Sequence, residues 1–202
     1  MIVSTNGLKQ ELKEYSNPMA KISRMVKNGE IIPVIRGLYV RDQNVSKNVL
    51  AGVIYGPSYV SFETALAHYG LIPERVYNVT SATFRKRRTK CYRTKFGNFY
   101  YTDIPARAYP YGLRYIAEQD SGYLIASPEK AICDKLYSIR PCYSQKELEY
   151  ILFDNLRIDE DMFWSLDLEL ICNLAVLYNN TTLKVLRKLI EKHIRKQKNL
   201  QG

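Results

Sequence analysis

From Asn17 to Val40 the chain spells a helix start, a helix stop and a hairpin turn in direct succession, and that order in so short a span restricts the fold severely. Asn17-Pro18 pairs a helix-capping residue with a proline at the first helical position, where the missing N–H costs nothing and the fixed φ suits the turn. Met19, Ile22, Met25 and Val26 then keep helical spacing, leave Lys21, Ser23, Arg24 and Lys27 on the remaining surface, and give way to Gly29 as the stop. Ile31-Ile32-Pro33-Val34-Ile35 and Leu38-Tyr39-Val40 are β-prone runs joined by Arg36-Gly37, whose glycine supplies the positive φ of a tight hairpin, while Pro33 marks the first run as a sheet edge. Upstream, Leu8, Leu12 and Tyr15 share a face at spacings of four and three, which predicts a helix from Leu8 to Tyr15. Two helices followed by a hairpin with arginine at its tip predict a winged helix-turn-helix, assigned to residues 1–45.

Residues 46–202 read as a second domain. Ser46 to Tyr55 and Ser61 to Tyr69 are expected helices, ended by Gly56 and Gly70. The period then falls to two: Val76–Thr80 reads as a strand, Cys91–Thr94 and Phe99–Ile104 as a hairpin about Gly97-Asn98, and Tyr123–Ala126 as a last strand. Ser127-Pro128-Glu129 opens a helix with an acid at the positive end of its dipole, and Ser144-Gln145-Lys146-Glu147 is a capping box. Helices over about 167–178 and 181–196 complete an α+β class: a winged helix-turn-helix, then a mixed domain with a small antiparallel sheet and a helical C-terminal part.

The formal charge of +10 makes a polyanion the leading partner class, since Lys and Arg release condensed counterions on neutralising phosphates. Residues 1–41 carry 7 basic and 3 acidic side chains, and residues 42–143 carry 14 and 8. Residues 144–180 reverse the balance with 2 and 8, and residues 181–202 restore it with 7 and 1, so the acidic segment is expected to pair with the basic helix that follows, the alternative being that this helix makes a second polyanion contact. The chain starts without the basic and apolar run of a signal peptide and has no apolar stretch long enough to cross a bilayer, so a cytoplasmic protein without membrane contact is expected. Cys91, Cys133, Cys142 and Cys172 lack C-x-x-C spacing and only His68 and His193 are available, so buried, reduced thiols are expected and neither a metal nor any other cofactor.

Four blocks in order give the chain a family resemblance. They are Ser23-Arg24-Met25-Val26 through Ile31 to Arg36-Gly37-Leu38-Tyr39-Val40; Tyr59-Val60-Ser61-Phe62-Glu63-Thr64-Ala65-Leu66 with Gly70-Leu71-Ile72-Pro73-Glu74; Val79-Thr80-Ser81 before a basic stretch; and Tyr123-Leu124-Ile125-Ala126-Ser127-Pro128-Glu129-Lys130-Ala131. In these blocks the chain resembles the AbiEi-type antitoxins, regulatory partners of nucleotidyltransferase-like toxins in abortive-infection and phage-defence operons. The match does not extend into residues 141–202. The resemblance implies an N-terminal winged helix that binds double-stranded DNA at repeats in its own operator and represses the operon. It also implies a C-terminal domain that supports self-association on DNA or counteracts the cognate nucleotidyltransferase-like toxin.

For reading DNA, the candidates are Lys21, Ser23, Arg24 and Lys27 on the second helix, with Arg24 able to fork onto a guanine edge, and Arg36 at the wing tip for phosphate or minor groove. A second basic patch, Arg85, Lys86, Arg87, Arg88, Lys90 and Arg93, continues to Lys95 and suits a DNA backbone or an acidic toxin face; a solvated strand edge is the plainer alternative. In the last helix Leu183, Leu186, Ile190 and Ile194 form a core stripe, with Lys184, Lys188, Lys192 and Arg195 on another side. His193 is expected to be solvated and His68 packed. Catalysis finds little support. Asp159/Asp161 and Asp167/Glu169 have a metal-pair spacing but follow no Gly-Ser turn and sit at helix starts, Glu11-Leu12-Lys13 falls mid-helix, and no Ser or Cys has a histidine in a legible arrangement. A non-enzymatic regulator is therefore expected, and the alternative is a protein- or RNA-binding module acting through the basic C-terminal domain.

Overall fold

The computed structural model describes residues 1–118 and 121–200. The chain opens with β1 (Ile2–Ser4), α1 (Thr5–Glu11), α2 (Pro18–Lys27), β2 (Ile32–Ile35) and β3 (Leu38–Val40). The three strands form an antiparallel sheet in the order β1-β3-β2, with Ile2 opposite Val40 and Ser4 opposite Leu38. Pro33 lies on the outer strand β2, as its missing N–H requires. Asn17 caps α2 by accepting from the Ala20 N–H at 3.0 Å, and Gly37 has φ +86° in the turn. Its carbonyl accepts from the Thr5 N–H at 2.9 Å, pinning the hairpin to the start of α1.

The first helix departs from expectation. It runs Thr5–Glu11, because Ser4 accepts from the Gly7 N–H at 3.1 Å and caps it early, and Tyr15 lies beyond its end with 51% of its surface exposed. Ile2–Ser4, too short to show a period, is drawn into a strand by pairing with β3. Val3, Leu8, Ile22 and Ile31 form a small core flanked by Leu12, Met25, Val26 and Tyr39. Val34, Leu38 and Val40 face the other way into the main core, so the N-terminal sheet is covered on both sides.

After the connection Arg41–Ser46 come α3 (Lys47–Ile54), β4 (Tyr59–Val60), α4 (Phe62–His68), β5 (Val79–Thr83), β6 (Lys90–Thr94), β7 (Gly97–Asp103), β8 (Leu113–Glu118) and β9 (Ser121–Ala126). The strands make one sheet in the order β6-β7-β5-β4-β9-β8. This corrects the small antiparallel sheet: β5 runs parallel to β7 and β4 to β9, so the sheet is six-stranded and mixed. The strand expected at Val76–Thr80 begins only at Val79 and extends to Thr83, with Tyr77 left exposed. The β6–β7 turn falls at Lys95-Phe96 rather than Gly97-Asn98, closed by Thr94 Oγ1, which accepts from the Phe96 N–H and donates to the Gly97 carbonyl, each at 3.0 Å.

The helical part is α5 (Pro128–Ser138), α6 (Gln145–Glu149) continued by a π-helical segment Tyr150–Asn155, α7 (Glu160–Ser165), α8 (Leu168–Val176) and α9 (Thr181–Leu200). Ser127 caps α5, and every residue from Pro128 to Asp134 is buried, which makes α5 the central helix. The whole is an α+β fold. No helix among the described residues is long and apolar enough to cross a membrane.

Candidate nucleic-acid interface

Helical periodicity sorts α2 into two faces. Ile22 is buried with Met25 and Val26 beside it, which turns Ser23, Arg24 and Lys27 outward. Neither Arg24 nor Lys27 forms an ion pair among the described residues, and Arg36, at the hairpin tip, is likewise exposed and unpaired. Lys21 is half-buried on the flank of the helix, its Nζ 5.7 Å from the centroid of the Tyr15 ring. The Ser23 hydroxyl donates to the Met19 carbonyl at 3.0 Å, so only its lone pairs face outward. Arg41 pairs with Glu11, which ties β3 to the end of α1 and corrects the mid-helix placing of Glu11.

The second basic patch is a shaped loop rather than a loose run. Arg85 and Arg87 both have left-handed backbones, φ 57° and 55°, a conformation costing about 1 kcal/mol or more for such side chains. Asp103 holds the loop there: one carboxylate oxygen accepts from the Arg87 N–H at 2.7 Å and the other from the Thr83 hydroxyl at 2.8 Å. Arg85, Arg87, Arg88 and Arg93 point to solvent. Lys86 and Lys90 are half-buried; Lys86 donates to the Gly56 carbonyl at 3.0 Å over the Tyr55 ring, and Lys90 lies above Tyr92.

On α9 the expected stripe holds, with Leu183, Leu186 and Ile190 buried, Ile194 packed on them, and Lys184, Lys188, Lys192 and Arg195 exposed. Among the described residues no ion pair joins α9 to the acidic segment before it; Arg187 pairs with Glu191 within α9, and the helices meet mainly through apolar side chains, with Lys192 donating to the Gln145 side-chain oxygen at 3.5 Å. That corrects the expected self-pairing. Asp159 and Asp167 accept from the Met162 and Leu170 N–H groups at 2.8 Å and cap α7 and α8. His193 is not simply solvated: it stacks on Trp164 with ring centroids 3.8 Å apart. His68 is exposed rather than packed in the core, its ring edge-on to Tyr69 with centroids 4.9 Å apart. Cys133 and Cys142 are buried, Cys172 is half-buried, and Cys91 is exposed on the outward face of β6, against the expectation for that thiol. No group of three or more His, Cys, Asp or Glu side chains among the described residues is placed to hold a metal ion.

One cluster escaped the sequence reading. Lys130 and Asp134, one turn apart on α5, are wholly buried with Nζ and Oδ1 3.4 Å apart. Asp134 Oδ2 accepts from the Tyr59 and Ser61 hydroxyls at 2.9 and 2.6 Å, and Oδ1 accepts from Tyr178 at 2.5 Å. Lys130 donates to Tyr178 and, at 2.7 Å, to the Ala108 carbonyl. Burial pushes the Tyr59 and Tyr178 hydroxyls well above their ordinary range and the charge of Asp134 adds to it, so both stay protonated donors. Burial lowers Lys130 while Asp134 opposes the shift. The available signal was that Tyr59, Ser61 and Lys130 fall in blocks carrying the family resemblance; opposite charges at i,i+4 read equally well as a solvated helix face.

No protein-family model matches the chain, and no curated protein matches it in sequence. Among solved structures the fold is similar to that of the RV2827C protein from Mycobacterium tuberculosis, with a TM-score of 0.60 and 13% sequence identity, covering 95% of this chain and 71% of that one. At that identity the likeness is one of fold.

Proposed function

We propose that the chain is a DNA-binding transcriptional regulator of the AbiEi antitoxin type, acting by binding rather than catalysis, with residues 1–45 as its winged helix-turn-helix. The observation that carries the reading is the outward face of α2, where Ser23, Arg24 and Lys27 are exposed and the two cations have no acidic partner among the described residues. The order strand, helix, turn, helix, strand, short wing, strand supports it, with α2 as the element that enters the major groove and Arg36 on the adjacent backbone or minor groove. In this reading the chain represses its own operon and counteracts a nucleotidyltransferase-like toxin encoded beside it. The test is a gel shift on the region upstream of its own gene: Arg24→Ala and Arg36→Ala each weaken specific binding, roughly tenfold or more for a lost base contact. Unchanged affinity in the double variant refutes the surface, and failure of co-expression to relieve the neighbouring gene product's toxicity refutes the antitoxin half.

A second reading, binding of RNA or an acidic protein through the basic C-terminal domain, is favoured by the strained, Asp103-anchored loop that presents Arg85, Arg87 and Arg88. Replacing these three and Lys86 with Ser lowers affinity and its salt dependence if the loop meets phosphates.

A further inference from the structure

The six-stranded sheet ends in two strands of opposite character. β6 carries Lys90 and Arg93 and follows the cationic loop, so a second copy laid beside it meets like charge, a common means of keeping sheet edges apart. β8, at the other end, is Leu113-Arg114-Tyr115-Ile116-Ala117-Glu118: one cation, one anion, and short or apolar residues between them. Among the described residues it pairs with β9 on one side and with no strand on the other. Neither Arg114 nor Glu118 has an ion-pair partner among the described residues; Arg114 is exposed, with its guanidinium over the Tyr69 ring, 5.6 Å from the centroid. On the opposite face Tyr115 is 64% exposed and its cross-strand neighbour Leu124 42%, and both line a groove with Val53 of α3, itself 49% exposed.

We propose that β8 is a self-association edge, along which two copies of the chain pair antiparallel about a two-fold axis at Ile116. In that register Arg114 stands opposite Glu118 of a second copy, Glu118 opposite its Arg114, Tyr115 opposite its Ala117, and Ile116 opposite itself. The spacing of the two charges selects this register, because a shift of one residue sets Arg114 against Ala117 and Glu118 against Leu113 and loses both ion pairs. Each copy offers the same strand, so the contact closes as a dimer and does not propagate. Nothing in it depends on the DNA-binding reading, and a monomer that binds its promoter leaves that reading intact while overturning this one.

Sedimentation velocity of the full chain over a range of concentrations tests the edge. The unaltered protein shows a concentration-dependent monomer–dimer equilibrium. Arg114→Glu alone and Glu118→Arg alone each weaken self-association about tenfold, since two symmetry-related pairs turn from attractive to repulsive. An equimolar mixture of the two variants restores it, because each reversed position then meets its opposite charge. Ala117→Lys, another exposed position on the strand, weakens it independently, and circular dichroism verifies that all variants fold. A monomer at every concentration, a dimer indifferent to the reversals, or a mixture no tighter than its components overturns the proposal.

Discussion

Removing the Asp134 carboxylate is the most searching perturbation of this fold. In Asp134→Ala the Tyr59 and Ser61 hydroxyls lose the acceptor they share, and Lys130 keeps its buried ammonium with the Ala108 carbonyl and Tyr178 but no counter-charge. Breaking a buried ion pair by deleting one partner costs about 3–5 kcal/mol, to which the stranded hydroxyls add about 1–3 kcal/mol. Against a domain stability of roughly 5–15 kcal/mol, the variant is expected to be marginal or unfolded at room temperature. Lys130→Met is the discriminating control, because it leaves Asp134 with three hydroxyl donors. Burial already works against the charge on Lys130, so this change is expected to cost only about 1–3 kcal/mol. Urea unfolding followed by circular dichroism and by the fluorescence of Trp164, the one tryptophan in the chain, measures both. A loss below about 1 kcal/mol for Asp134→Ala, or a loss for Lys130→Met as large as that for Asp134→Ala, would refute the claim that the carboxylate organises this network.

Burial holds Tyr59 and Tyr178 above their ordinary value of 10.0, so the unfolded chain releases those protons first as pH rises past it. Their contribution is therefore intact below pH 10 and declines above it, and Tyr178→Phe should flatten the alkaline decline in denaturation midpoints. A thiol reagent should modify Cys91 well before Cys133, whose thiol is buried and pushed up in pKa, and Cys91→Ser should abolish the fast phase. Gly122→Ala should destabilise by about 1–3 kcal/mol in thermal melts, since its Cβ would lie 2.6 Å from the Ile116 carbonyl oxygen and 2.2 Å from the Tyr115 hydroxyl. Asp103→Ala releases the Arg85–Thr89 loop, which faster amide exchange at Arg87 would reveal.

What sequence alone determined were the features whose causes lie within a few residues. Asn17-Pro18, Ser127-Pro128 and Ser144 mark helix starts because a side-chain oxygen three residues ahead can reach a free N–H, and Arg36-Gly37 marks a turn because glycine accepts φ +86°. The amphipathic division of α2, and hence the exposed Arg24 and Lys27, follows from helical spacing and was equally legible. The tertiary structure decided everything that needs a distant partner. Ile2–Ser4 and Leu113–Glu118 are strands because β3 and β9 pair with them, the larger sheet is mixed because β4 and β5 lie where β9 and β7 run parallel to them, and His193 is held by Trp164. Above all, Lys130 and Asp134 are buried because hydroxyls from β4, from Ser61 at the start of α4 and from the residues after α8 converge on them. A charge can leave water only where other parts of the chain supply its hydrogen bonds, and no local pattern encodes that convergence.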